Sequence, residues 1–380
     1  MTCKTSWAGV ERVIFTCTDL KRPNGLTSAS LSLADALISQ GLDVEFWVQF
    51  QIDEDIRSKY CVYRVIPAYK FTKFIRNYEA SRKILKPFRE LASSIIYPVS
   101  RFRSVYREKS RAESRTIIVA ASLEAYREFI PFLPMGCPVI GQIHTSYNGL
   151  NEYNHKVIGE LVDRFDAITV LSKHDAVRFR EEYGVRNVIA IPNIVDMTMD
   201  VPYNERPENL VFFGRLSVEK QATHAVDAVA PLLNSGWNLN IYGDGPEILS
   251  VKEAASRVPI AHYKGVSYLP QHVFNNSKIN ILTSQFEGFG MSVVEAAQCG
   301  VPTVAYNCSQ NIEDIVGECG ILVQKNNVEE LSAVIERVIN DAPYLESLSS
   351  QALNYSQIYK PRHVLSLWKE LFVELAGTKA

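Results

Sequence analysis

The chain has 380 residues, with 40 Lys and Arg against 42 Asp and Glu, a net charge of −2, and 47% hydrophobic and 22% charged residues. This length exceeds one typical core and suits two domains. The balanced charge excludes a global pull toward nucleic acid, and the composition is that of a soluble globular protein. No run approaches the roughly 20 apolar residues that a spanning helix needs. The opening "MTCKTSWAGVERVIF" lacks the long apolar stretch of a signal peptide. The seven cysteines are odd in number and form no C-x-x-C pair. The expectation is therefore a reduced, cytoplasmic protein with buried thiols.

In chain order, "RVIFTCTD" reads as a buried strand. The helical stripe Leu31, Ala34, Leu37 and Ile38 follows and stops at Gly41. "DVEFWVQF", "CVYRVIP", "TIIVAAS", "PVIGQIHTS", "AITVLS" and "NVIAIPNIV" are the next strands. After the polar segment "DMTMDVPYNERPEN", which reads as a linker, the pattern restarts. "NLVFFGRL", "NLNIYGDG", "AHYKGV", "KINILTS", "PTVAYN" and "GILVQ" are strands. "ATHAVDAVAPLLNSG", "MSVVEAAQCG" and "VEELSAVIERVIND" are helices between or after them. Strands alternating with helices imply βαβ units and parallel sheets. The reading is α/β with two Rossmann-like doubly wound domains facing across a cleft. Residues 1–200 form the first and 201–360 the second, and a helix over 361–380 is expected to pack back on the first. Ligands in such sheets bind at the carboxyl ends of strands.

The segment from Lys70 to Arg115 holds thirteen Lys or Arg and four Glu, a net excess of about nine, with seven interleaved Phe and Tyr. It reads either as a solvated helical face over a core or as a patch for an anionic membrane surface. Nucleic acid is a weaker reading, because no binding motif accompanies the charge.

"SQFEGFGMSVVEAAQCGVP" places Glu287 before a glycine pair, Gly288 and Gly290, and Glu295 after it. The stretch runs from a strand end through a loop into a helix start. The glycines let backbone amides approach a ligand, and the helix start suits a phosphate. Glu295, an acceptor-only carboxylate, suits a ribose diol. Glu287 reaches what lies beyond a diphosphate. "FFGRLSVEKQ" puts Arg215 and Lys220 after another strand, where two cations can neutralise a diphosphate in the substrate and as a leaving group.

With these residues the chain resembles a retaining glycosyltransferase of family 4, with the GT-B fold. The E-x7-E motif matches Glu287 to Glu295, and G-R-x-x-x-x-K matches Gly214, Arg215 and Lys220. "IYGDGPE" and "YKGV" are similar to two further loops of the family's C-terminal domain. The resemblance implies that Glu287 contacts the donor sugar, Glu295 the ribose, and Arg215 and Lys220 the diphosphate. It also implies that Lys264 and Gly265 lie against the base, and that Gly243 and Gly245 line the cleft. Phe289 and Met291 belong to the same donor loop. Gly25 of "RPNGLTSAS" would stand at the diphosphate and His144 of "QIHTS" beside the sugar. Two motifs depart from the family. Gly25 is followed by Leu26 instead of a second glycine, and the usual N-G-V-D reads Asn193, Ile194, Val195, Asp196. No histidine shows ligand spacing, and the resemblance implies no metal and no other cofactor.

The expected activity is transfer of a hexose-type sugar from a nucleotide-sugar, a UDP-sugar ahead of GDP-mannose. The acceptor is a saccharide or a lipid-linked saccharide of a bacterial surface polymer, met in the cytoplasm or at the inner face of the membrane. The alternatives are a GT-B nucleotide-sugar epimerase and an inactive nucleotide-binding scaffold.

Overall fold

The computed structural model describes residues 7, 9–21, 25–64 and 115–377. Apart from Arg115, the basic segment 70–115 lies outside the described residues.

Two sheets carry the chain. The first is built from β1 (Arg12–Cys17), β2 (Asp43–Val48), β3 (Cys61–Arg64), β4 (Thr116–Ala120), β5 (Val139–Gln142), β6 (Ala167–Val170) and β7 (Val188–Ala190). The second is built from β8 (Asn209–Phe213), β9 (Asn238–Tyr242), β10 (Ala261–Gly265), β11 (Ile279–Leu282), β12 (Thr303–Tyr306) and β13 (Gly320–Val323). Their orders are β3-β2-β1-β4-β5-β6-β7 and β10-β9-β8-β11-β12-β13. Every paired strand within them is parallel. The central strands β4, β5, β6, β11 and β12 are buried at every residue. Helices cover both faces of such sheets, so the strands read as unbroken apolar runs.

Both sheets reverse their winding at one place, between β1 and β4 in the first and between β8 and β11 in the second. Doubly wound sheets open a crevice at that switch point, beyond the carboxyl ends of the strands. The loops after β8 and β11 therefore meet at one opening.

Apolar clusters fill the sheet faces. One joins Phe15, Phe46 and Val119 to Val364, Trp368 and Phe372 of the helix Pro361–Gly377, so the end of the described chain seals the first half. The second half has its own cluster around Leu210, Ile241, Val304 and Ile335. Residues 196–209 differ from the polar linker that their composition suggests. Arg206 is 3% exposed and donates to the carbonyls of Val201, Phe274, Ser277 and Cys299. A guanidinium has five donors, and here carbonyls left over at helix ends take them up. Burial pushes the thiols of Cys17, Cys299 and Cys319 up to about 12.

Candidate functional site

The second sheet supplies most of the site. β8 ends at Phe213, and the loop Gly214–Leu216 turns alongside the loop after β9. Gly214 N donates to Tyr242 O at 3.1 Å, and Leu216 N donates to Asp244 O at 2.8 Å. These contacts are possible only because of two glycines. A Cβ on Gly243 would lie 1.9 Å from the Gly214 carbonyl oxygen, and one on Gly245 would lie 2.2 Å from that of Leu216. Gly243 and Gly245 thus fix the backbone that carries Arg215. The Arg215 side chain is exposed and makes no hydrogen bond among the described residues. β10 closes the same edge. Gly243 N donates to Gly265 O at 2.8 Å, and Lys264 projects outward, exposed.

Lys220, expected at the diphosphate, and Glu287, expected at the donor sugar, meet directly. Lys220 Nζ lies 2.5 Å from Glu287 Oε1, and Ser284 Oγ donates to the same oxygen at 2.7 Å. The preceding Thr283 hydroxyl lies 3.0 Å from the Lys220 carbonyl and 2.9 Å from that of Gln221. Consecutive residues at the end of β11 therefore hold both members of the pair. A half-buried cation and a buried anion neutralise each other here.

Gly290 (φ 81°) adopts the left-handed conformation and caps the helix Met291–Gln298. A Cβ there would lie 2.6 Å from Ile312 Cδ1. The helix start follows the loop after β11, and its dipole end and its first amides, which have no intrahelical acceptor, are of the kind that suits an anion. One turn in, Glu295 is 8% exposed and accepts no hydrogen bond among the described residues. Desolvation pushes its carboxyl up to about 7. Phe289 is 5% exposed and meets the Tyr359 ring edge-on at 5.6 Å. Its side chain belongs to the core, and only its backbone is offered to the loop.

The first half contributes the opposite wall. His144 follows β5, and neither ring nitrogen has a hydrogen bond although Asn193 stands beside the ring. Desolvation pulls the imidazole down to about 4, so it is neutral at physiological pH. The loop that holds Glu287 is wedged against the His144 loop. A Cβ on Gly288 would lie 3.0 Å from the His144 carbonyl oxygen, and one on Gly149 would lie 2.0 Å from Phe286 Cζ. The two walls are thus in contact. Met291 joins them as well, accepting from Asn193 Nδ2 at 3.6 Å. Gly25 opens the helix Gly25–Ser39 after β1, one of the two strands at the switch point of the first sheet. Phe286 and Ser284 carry no local signature that marks them as site residues. Phe286 meets Gly149 of the other half, and Ser284 holds Glu287 within its own half.

Residues 23–198 match Glycosyltransferase Family 4, and residues 199–355 match Glycosyl transferases group 1. The chain belongs to glycosyltransferase family 4. An uncharacterized glycosyltransferase of Haemophilus influenzae is 24% identical over 95% of this chain and 99% of its own length. An exopolysaccharide phosphotransferase of Streptomyces coelicolor is 30% identical over 56% of this chain, which spans only 24% of that protein. A poly(glycerol-phosphate) alpha-glucosyltransferase of Bacillus subtilis is 24% identical over 60% of the chain and 36% of its own length. Among solved structures, TarM of S. aureus, in complex with UDP, superposes with a TM-score of 0.76 at 13% identity, covering 96% of this chain and 100% of its own. Anabaena HepE, in complex with UDP and glucose, gives 0.71 at 18% identity, covering 94% and 98%. The fold is GT-B, and the family and its relatives make the protein a glycosyltransferase.

Proposed function

We propose that this glycosyltransferase moves a hexose from a nucleotide-sugar, a UDP-sugar first, to a saccharide or lipid-linked saccharide acceptor, with retention at the transferred carbon. The observation that carries the reading is the convergence at the β8/β11 switch point. Two cations, a helix start and an unpartnered buried carboxylate stand around one opening beside a neutral histidine. The relatives with surface-polymer names and the structures with UDP bound support this substrate class.

In this reading Arg215, Lys220 and the amides at Gly290–Met291 hold the diphosphate. Negative charge grows on that group as the sugar–oxygen bond breaks, so these contacts strengthen toward the transition state. The charge they supply serves where a divalent metal serves in other transferases, and the reaction proceeds without one. Lys220 leaves Glu287 for the phosphate, and the released carboxylate accepts from sugar hydroxyls. Glu295 accepts from the ribose diol. Neutral His144 donates to, or accepts from, the sugar on the opposite wall. Lys264 and Gly265 flank the base.

The deciding experiment is a panel of UDP-, GDP- and other nucleotide-sugars, read by thermal stabilisation and by release of nucleoside diphosphate. Stabilisation and turnover with a UDP-hexose support the proposal. A donor converted to its epimer, or a chain stabilised by no nucleotide, would instead favour the epimerase or the scaffold.

A further inference from the structure

We infer that Asn311 and Asp175 are positioning residues that lock the two walls of the site together. The inference rests on the site assignment above. Asn311 is 3% exposed, near the start of the helix Gln310–Cys319 in the second half. Asp175 is 2% exposed, in the first turn of the helix Lys173–Tyr183 in the first half. Asn311 Nδ2 donates to Asp175 Oδ2 at 3.1 Å and to the Gly288 carbonyl at 2.5 Å. Both protons of the amide are therefore used, one on each wall. The Asn311 oxygen has no partner among the described residues, so two acceptors alone orient the group.

Asp175 extends the network on its own side. Its Oδ1 accepts from Tyr147 N at 2.9 Å, and its Oδ2 accepts from Ser172 Oγ at 2.9 Å. Tyr147 lies three residues beyond His144, and Gly288 directly follows Glu287. One chain of hydrogen bonds thus runs from the His144 loop to the Glu287 loop. The bonds to the buried carboxylate are charge-assisted and shielded from water, which strengthens them. Ser172 Oγ already accepts from Asp175 N and caps that helix. Capping alone therefore leaves the turn of Asp175 toward Tyr147 and Asn311 without a reason.

The consequence is a separation of roles. The nucleotide contacts proposed above all lie in the second half, whereas His144 lies in the first. Breaking the Asn311–Asp175 bond lets the walls part and withdraws His144 from Glu287, while the nucleotide contacts stay in place. Asn311→Asp is the sharp variant, because it sets a carboxylate against Asp175 and against the Gly288 carbonyl. In Asn311→Asp/Asp175→Asn the amide and carboxylate exchange places, which restores the bond between walls.

The test compares native protein, Asn311→Ala, Asn311→Asp and the exchanged double variant. Solution scattering reads separation of the halves, calorimetric titration reads UDP affinity, and turnover is measured on the donor found by the panel. The expected result for Asn311→Asp is a larger radius of gyration, UDP affinity within about twofold of native, and turnover lowered about 5- to 150-fold, the range for leaving a buried partner unsatisfied. Asn311→Ala should show the same changes to a lesser degree, and the double variant should recover part of both losses. A native radius in Asn311→Asp overturns the inference, as does turnover within threefold of native. Loss of UDP affinity in step with turnover also overturns it, since that marks damage to the loop itself. If the native chain binds no nucleoside diphosphate, the donor reading fails, while the scattering comparison still decides the lock.

Discussion

Glu295 lies buried with no hydrogen bond among the described residues, and desolvation pushes its carboxyl from an ordinary 4.5 up to about 7. The folded state therefore holds a proton more tightly than the unfolded chain does. Its contribution to stability is complete below about pH 4.5 and is lost as pH rises through about 7, by at most roughly 3 kcal/mol. Glu295→Gln removes this dependence, so its melting temperature relative to native should rise between pH 5 and pH 8. Binding moves in the other sense. Ribose hydroxyls donate to the ionised form, so native affinity for UDP-glucose should increase through the same range and stay flat in Glu295→Gln. UDP-glucose is the right probe because its diphosphate does not titrate there. A flat native profile would remove Glu295 from the ribose. The Lys220–Glu287 pair is tested by separating binding from turnover. Lys220→Ala removes a cation from the diphosphate and should weaken UDP binding and lower turnover, each by about 1.5–3 kcal/mol. Glu287→Ala frees Lys220 for the phosphate, so UDP binding should hold or tighten while turnover falls. Because the two side chains touch, the double variant should lose less than the sum of the single losses. Strict additivity would mean the 2.5 Å contact has no energetic weight.

At the scale of elements, the site is set by where loops leave the sheet. Arg215 is aimed by a backbone hydrogen-bonded to the loop after β9, and Gly243 admits that approach. Gly243→Ala places a methyl group against the Gly214 carbonyl at a φ of 153°. The 214–216 loop must move, with a cost of order 1–3 kcal/mol for overpacking. UDP affinity should fall with it, by more than in Gly317→Ala, whose added Cβ meets nothing within 4 Å. Equal affinities in the two variants would detach Arg215 from this loop. The elements themselves were largely legible in the sequence, because strands buried on both faces read as apolar runs. The strand ends bearing Arg215, Lys220 and Glu287 followed from the same pattern. What the pattern could not carry was direction and long-range pairing. Phe289 stands in a loop of small residues, yet its ring is taken by Tyr359 from a segment 70 residues away. Residues 196–209 look solvated by composition, but Arg206 finds three distant carbonyls, those of Phe274, Ser277 and Cys299. Asp175 and Asn311 lie 136 positions apart. No local periodicity marks such partners, since they are chosen by the packing of one half on the other.

The whole molecule is tied at its two crossings, where the chain leaves the first half near Val195 and returns near Tyr359. Val195 N donates to Tyr359 O at 3.1 Å. Gln298, 1% exposed at the far end of the helix that begins at the site, donates to the carbonyls of Val195 and Ser356. The helix Pro361–Gly377 then returns to the first half, so the ends of the described chain belong to the half that carries His144. No helix among the described residues is long and apolar enough to cross a membrane. For a lipid-linked acceptor, the basic, aromatic segment 70–115 is the part of the sequence suited to an anionic surface. Each basic residue near an anionic surface contributes about 1 kcal/mol, and the attraction falls off within a Debye length. Binding to anionic vesicles in low salt, but not to neutral ones, is the expected outcome of co-sedimentation. It should weaken as salt is raised and on charge reversal at Arg101, Arg103 and Arg107. Turnover on a soluble saccharide acceptor should be untouched by that reversal, whereas turnover on an acceptor embedded in anionic vesicles should fall. Absence of binding at low salt, where screening is weakest, would return the segment to an ordinary solvated face and leave a soluble saccharide as the acceptor.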